Sequence, residues 1–213
     1  MRLNDEQLRA VTFGDGPLLV IAGAGSGKTR VLTYRVAHLL HEDGIPAPRI
    51  LAFTFTNRAA REMRERLRQL VGEVSEKLWV GTFHATCLRI LRREAERLDI
   101  SPHFTIFDRD DQIALVKRLL RDRDIDLREH PPGFFLSRIS GAKNELITPA
   151  EYESSAVTPR ERMVATIFGA YQQELHRQEA LDFDDLIGSA VYLLERDSEV
   201  RERYGSRFLH VLV

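Results

Sequence analysis

Eight consecutive residues, Ala22-Gly23-Ala24-Gly25-Ser26-Gly27-Lys28-Thr29, combine small side chains with one amine and one hydroxyl. Their order fits the phosphate-binding pattern Ala/Gly-x-x-x-x-Gly-Lys-Ser/Thr. Small residues let backbone N–H groups wrap a phosphate, and a helix starting at the loop adds the positive end of its dipole. Lys28 is placed to neutralise the β- and γ-phosphates. Thr29 is placed to offer its hydroxyl to Mg²⁺. The first position is Ala22 rather than glycine, a difference of one methyl group that matters only if the backbone there needs a positive φ.

Such a loop works only between a strand and a helix. Leu18-Leu19-Val20-Ile21 precedes it as an apolar run and predicts a buried strand over residues 18–22. The amphipathic stretch from Lys28 to His41 predicts the helix. Further apolar runs at 50–56, 78–83, 104–107 and 208–213 predict the other strands of a parallel sheet covered on both faces. Between them, Ala60, Met63, Leu67 and Val71 form one helical stripe, and Cys87, Leu88, Leu91, Ala95 and Leu98 another. This alternation is the mark of a doubly wound α/β fold. From about Asp108 to Gln178 the patterns are helical only, with starts at Asp108 and at Thr158-Pro159 and breaks at His130-Pro131-Pro132-Gly133 and Ile147-Thr148-Pro149. That segment reads as an all-helical insertion. Another helix opens at Leu181-Asp182-Phe183-Asp184-Asp185.

The composition sets few limits. A chain of 213 residues, 43% hydrophobic and 30% charged, is of ordinary globular type. No apolar run approaches the length of a membrane helix. The N-terminal residues show no secretory pattern, and one cysteine, Cys87, excludes an internal disulfide. The expectation is a cytoplasmic protein with no membrane partner. With a net charge of −1, gross charge does not point to nucleic acid. Residues 58–68 hold five arginines and 89–97 hold four, interleaved with glutamates. Solvated helix faces with i,i+4 pairs explain them more economically than phosphate-facing patches. Asp182, Asp184 and Asp185 likewise suit a helix start better than a metal site.

Three other stretches accompany the loop: Leu3-Asn4-Asp5-Glu6-Gln7, Phe53-Thr54-Phe55-Thr56-Asn57-Arg58-Ala59-Ala60 and Gly81-Thr82-Phe83-His84-Ala85. With Leu181-Asp182-Phe183-Asp184-Asp185-Leu186 they closely resemble, in order and over the whole chain, the UvrD/Rep/PcrA group of superfamily 1 DNA helicases. The resemblance implies a RecA-like P-loop NTPase core over 1–100 and 181–213, with a helical insertion subdomain over 101–180. It implies ATP and Mg²⁺ as cofactors. The partners it implies are single-stranded DNA, single/double-strand junctions and the C-terminal helicase domains. The activity it implies is ATP-dependent unwinding, typically 3′ to 5′, in repair or replication.

Residue by residue, the resemblance makes Gln7 the reader of adenine, since a carboxamide offers both a donor and an acceptor. On its sequence context alone, Gln7 reads first as an ordinary polar residue in a helix capped by Asn4. Arg30 resembles the arginine that packs on the base, against the plain alternative of an exposed first-turn arginine. The resemblance assigns Ala22, Gly23, Ala24, Gly25, Ser26, Gly27, Lys28 and Thr29 to the phosphates and metal. It assigns Phe55, Thr56, Asn57, Thr82 and His84 to DNA, where an aromatic stacks a base and short polar groups bond phosphate. By alternation Phe53 and Phe55 share one strand face, and an aromatic there is ordinarily core. Ala85 stands where the family usually has serine.

The run 208–213 resembles the strand that leads into the family's Asp-Glu-x-Gln motif, which holds Mg²⁺ and activates water. None of its residues is present in this sequence, so the expectation is a helicase N-terminal portion that is catalytically incompetent alone. Two rivals remain at the level of sequence. One is a different P-loop enzyme, although no Asn-Lys-x-Asp guanine reader is present. The other is a non-catalytic ATP- and DNA-binding module.

Overall fold

In the computed structural model residues 3–213 are described. Along the chain the elements are α1 (Asp5–Val11), α2 (Lys28–His41), β1 (Ile50–Thr54), α3 (Asn57–Val71), β2 (Trp79–Thr82), α4 (Phe83–Arg93), β3 (Thr105–Phe107), α5 (Arg109–Arg121), α6 (Pro132–Asn144), α7 (Pro149–Ser155), α8 (Pro159–Arg177), β4 (Ala180–Asp182), α9 (Phe183–Arg196), α10 (Ser198–Arg207) and β5 (His210–Leu212). They divide into two compact units. One runs to Thr86 and resumes over Arg201–Val213; the other is Cys87–Val200.

The first unit carries a parallel sheet in the order β2-β1-β5. Thr54 pairs with Thr82 at the carboxyl ends of β1 and β2, and Ala52 pairs with Leu212 on the other side. Helices α2 and α3 cover the sheet. Val36 and Leu39 from α2 join Met63 and Leu67 from α3 over Ile50, Ala52 and Leu212. Each such buried side chain contributes about 1.5–3 kcal/mol relative to exposure. Helix α3 shows why its sequence folds locally. The Thr56 hydroxyl accepts from the Ala59 N–H at 3.1 Å, and Gly72 closes the helix at φ 67°. The buried positions Ala60, Met63 and Leu67 fall at helical spacing. On the far side of β2, Trp79 packs edge-on against Phe208, ring centroids 5.0 Å apart.

The second unit is built on helices. Leu115, Val116, Leu119 and Leu120 of α5, Phe135, Leu136 and Ile139 of α6, and Ile167, Phe168, Tyr171 and Leu175 of α8 form one core. The starts of α5 and α8 are those the sequence predicts. Asp108 and Thr158 close reciprocal capping boxes with Asp111 and Glu161, and Pro159 opens α8.

Two features depart from the pattern read along the chain. The run 18–22 lies outside any strand, with Leu19 and Ile21 83% and 90% exposed. It has no ladder neighbour among the described residues, and an extended segment without one leaves its backbone to water and its side chains without a facing layer. The run 104–107 does form a strand, but outside the main sheet. It pairs in parallel with β4, Thr105 opposite Ala180 and Phe107 opposite Asp182. Three-residue strands carry too little periodicity to reveal their partners. Among the described residues no helix is long and apolar enough to cross a membrane.

Candidate functional site

The loop before α2 closes on its own backbone. Gly25 and Gly27 adopt positive φ, 75° and 89°, which lets the chain curl. The Gly23 carbonyl accepts from the Ser26 hydroxyl at 2.7 Å and from the Lys28 ammonium at 2.7 Å. Lys28 Nζ also donates to the Ala22 carbonyl at 2.8 Å. Both α2 and its exposed Thr29 begin there, with no side chain capping the helix. A Cβ added at Gly23 or Gly25 would meet nothing within 4 Å, so the outer side of the loop is open. At Gly27 a Cβ would stand 3.0 Å from Gln7 Nε2.

That contact joins the first helix to the loop. Gln7 is the third residue of α1, and its N–H donates to Asn4 Oδ1 at 2.8 Å while its Oε1 accepts from the Asn4 N–H at 3.1 Å. This is a full capping box. The remaining donor, Nε2, reaches the Ser26 carbonyl at 3.0 Å. The capping arrangement and the loop contact therefore coexist in one side chain. Arg30 lies along its own helix, its guanidinium 5.6 Å from the Tyr34 ring centre.

The other singled-out residues gather beyond the carboxyl ends of β1 and β2, the end of a parallel sheet where ligands bind in open α/β folds. β1 ends at Thr54, so Phe55 sits in the turn rather than on the strand. It does not share the fate of Phe53, as alternation had predicted. Phe53 stacks on Phe83, the rings nearly parallel with centres 4.2 Å apart, while Phe55 is 83% exposed with its ring centre 5.9 Å from that of Phe83. Thr56 uses its hydroxyl oxygen to cap α3, and Asn57 is exposed on the first turn. Thr82 is buried, and its Oγ1 accepts from the Ala85 N–H at 3.2 Å. His84 is half-buried on the next turn. Phe83, which underlies Phe55, stood inside a quoted motif without a role, because stacking between turns has no sequence period.

The acidic residues near 182 form a different kind of site. Asp182 caps α9 in a capping box with Asp185. The Lys143 ammonium lies 2.7 Å from Asp182 Oδ2 and 2.9 Å from Asp185 Oδ1, and the Tyr171 hydroxyl donates to Asp182 at 2.9 Å. Burial raises both carboxyls. At Asp182 burial is the largest single influence, but the Lys143 charge and the hydrogen bonds from Lys143, the Asp185 N–H and Tyr171 together outweigh it and the group falls below its ordinary value; at Asp185 burial wins and the carboxyl is pushed up to about 6. Burial, followed by the Asp182 charge, pushes the Tyr171 phenol far up. No cluster of three or more metal-ligating side chains occurs among the described residues. Lys143 was missed in the sequence because its partners lie 39 residues and more away.

The arginine-rich stretches are solvated or spent on structure. Arg58 pairs with Glu62 at 3.1 Å, and Arg64 donates to the Val80 carbonyl at 2.9 Å. Arg92 donates to the carbonyls of Pro102 and Phe104 and lies 3.8 Å over the Phe104 ring.

Residues 3–213 match the family model described as the UvrD/REP helicase N-terminal domain. Over 211 residues the chain is 49% identical to the ATP-dependent DNA helicase PcrA of Staphylococcus aureus. It is 48% identical to the protein of the same name from Staphylococcus epidermidis. Each alignment covers 99% of this chain and 29% of the relative. The chain thus spans less than a third of the length of these curated relatives.

Proposed function

The chain belongs to the UvrD/REP helicase N-terminal domain family, and from that premise we propose that it supplies the ATP-binding part of an ATP-dependent DNA helicase. The observation that carries this reading is the meeting of Gln7 with the glycine loop at Ser26 and Gly27. It places a carboxamide, which can read adenine, against a cradle that can take phosphates. The proposed division is an ATP-binding core over 1–100 and 181–213 and a helical insertion over 101–180. The chain does divide into a unit that carries the three-stranded sheet and a helical unit, but with 87–100 and 181–200 on the helical side, so what supports the reading is the existence of a helical insertion rather than these bounds.

The loop suits a magnesium nucleotide. Its outer side is open, two glycines hold it curled, and the uncapped start of α2 favours an anion. In this reading residues 22–27 cradle the phosphates, Lys28 moves from the loop carbonyls to phosphate oxygens, and Thr29 offers its hydroxyl to Mg²⁺. Gln7 reads adenine and Arg30 leaves Tyr34 to pack on the base. Bound ATP supplies the free energy of hydrolysis for movement. Phe55, Thr56, Asn57, Thr82 and His84 form the contact to single-stranded DNA. Phe55 stacks a base on a platform backed by Phe83, and Asn57 and His84 reach the backbone. Strand junctions and the remaining helicase domains are the proposed partners.

Titration with a fluorescent adenine nucleotide tests this. The wild-type chain should bind and Lys28→Ala should not, with the two circular dichroism spectra superimposable. Equal affinity in both would refute the phosphate role of the loop.

A further inference from the structure

Helix α1 carries Gln7 but has little to hold it in place. Of its seven residues only Val11 is buried, and Leu8 is half exposed. A short helix of this kind is not stable by itself. Its carboxyl end also has carbonyls without helical partners. Leu8 O is taken by the N–H and hydroxyl of Thr12. Carbonyls at and just past this end are taken by a single side chain from α2. Arg35 Nη1 donates to Ala10 O at 3.3 Å, Val11 O at 3.1 Å and Phe13 O at 2.7 Å, and Nη2 reaches Gly14 O at 3.4 Å. A guanidinium at this end also complements the helix dipole.

Arg35 and Lys28 belong to the same helix. So α1 is strapped to the loop-bearing helix twice, at its carboxyl end by Arg35 and near its start by the Gln7–Ser26 bond. We infer that Arg35 is a positioning residue that sets the Gln7 carboxamide beside the phosphate loop and thereby determines the preference for adenine. Arg35 touches no base itself. Lysine in its place would offer one ammonium group where the guanidinium fork spans four carbonyls.

The inference rests on the adenine-reading role proposed for Gln7, and the test separates the two. Affinities for fluorescent ATP, fluorescent GTP and inorganic tripolyphosphate are measured on wild type, Gln7→Ala, Arg35→Ala, Arg35→Lys and the double variant Gln7→Ala/Arg35→Ala. Arg35→Ala should lower the ATP-to-GTP preference about as far as Gln7→Ala does, roughly tenfold, with tripolyphosphate affinity changed less than about twofold. The double variant should lose no more than either single one, since both act on one contact. Arg35→Lys should fall between, and it carries the comparison should the alanine variant not fold. If Gln7→Ala lowers the preference while the Arg35 variants keep it, the positioning role is overturned. If Gln7→Ala also keeps it, the adenine reading itself fails. A matching loss of tripolyphosphate affinity in the Arg35 variants would show a general structural role and overturn the inference as well.

Discussion

Two sets of polar side chains in this chain have the look of functional sites, and they are built on opposite terms. Around the glycine loop, the Lys28 ammonium and the Gln7 amide are spent on backbone carbonyls at an open surface. A ligand with better acceptors can take over such bonds, because water already competes for them and little is lost on exchange. Around Lys143, the ammonium faces two carboxylates and a phenol in the interior of the helical unit, with Lys143 and Asp182 side chains 7% and 1% exposed. There no exchange is available. A charge left alone at that depth is costly, so the group locks α6, α8 and the start of α9 together. Displaced titration and dense hydrogen bonding, which often mark catalytic centres, here mark a structural knot. The open loop is where chemistry has room.

The largest expected effect tests the knot. Lys143→Ala leaves two buried carboxylates facing each other without their cation. It should destabilise the chain by about 3–5 kcal/mol, read as a fall in the urea midpoint. A loss below about 1 kcal/mol would mean that water reaches the pair and that the contrast with the loop is false.

Phe55→Ala tests the open side. In a chain extended to the length of the PcrA relatives, single-strand affinity should fall by about tenfold to a hundredfold, following the ~1–3 kcal/mol of base stacking. The stability of this chain should barely change, since the side chain is 83% exposed. Unchanged DNA affinity would remove Phe55 from the contact.

Gly27→Ala tests how tightly loop and first helix are fitted. The substitution meets both a φ of 89° and Gln7 Nε2 at 3.0 Å. A cost of about 1–2 kcal/mol is expected, with nucleotide affinity lowered more than by Gln7→Ala alone. A neutral result would show that the loop relaxes freely.

The smallest effect concerns pH. Asp185 titrates near 6, above its ordinary value of 3.8, so its stabilising contribution is complete below 3.8 and is lost as pH rises through about 6. Asp182, held low, works in the other direction, and its contribution is lost as pH falls below its ordinary range. Asp185→Asn should therefore flatten the decline of Tm between pH 4 and 7. It should cost little at pH 7, where Lys143 keeps Asp182 as its partner. An unchanged Tm profile would show that Asp185 is not the group that titrates there.

Much of this structure is legible in the chain itself. The starts of α2, α3, α5, α8 and α9 follow from a glycine loop, Thr56, Asp108, Thr158 and Asp182, each acting within four residues of itself. The glycine loop and the buried stripe of α3 are equally local, and local spacing decides which backbone donors are capped and which face turns inward. What the sequence by itself determined are these segments, the glycine loop with the helix that follows it, and the family to which their order belongs.

The tertiary structure decided what no local period encodes. It left residues 18–22 outside any ladder, although their composition suits a strand, because ladder bonds need a neighbour that composition does not name. It sent 104–107 to pair with 180–182 rather than with the main sheet. It turned Phe55 outward by ending β1 at Thr54, two residues before the end of the predicted run. It brought Lys143 to Asp182 and Asp185, and Arg35 to the end of α1. The pairings among these join segments distant in the chain, and all of them are settled by which arrangement satisfies buried polar groups and covers apolar faces at the same time, a balance that exists only in the folded molecule.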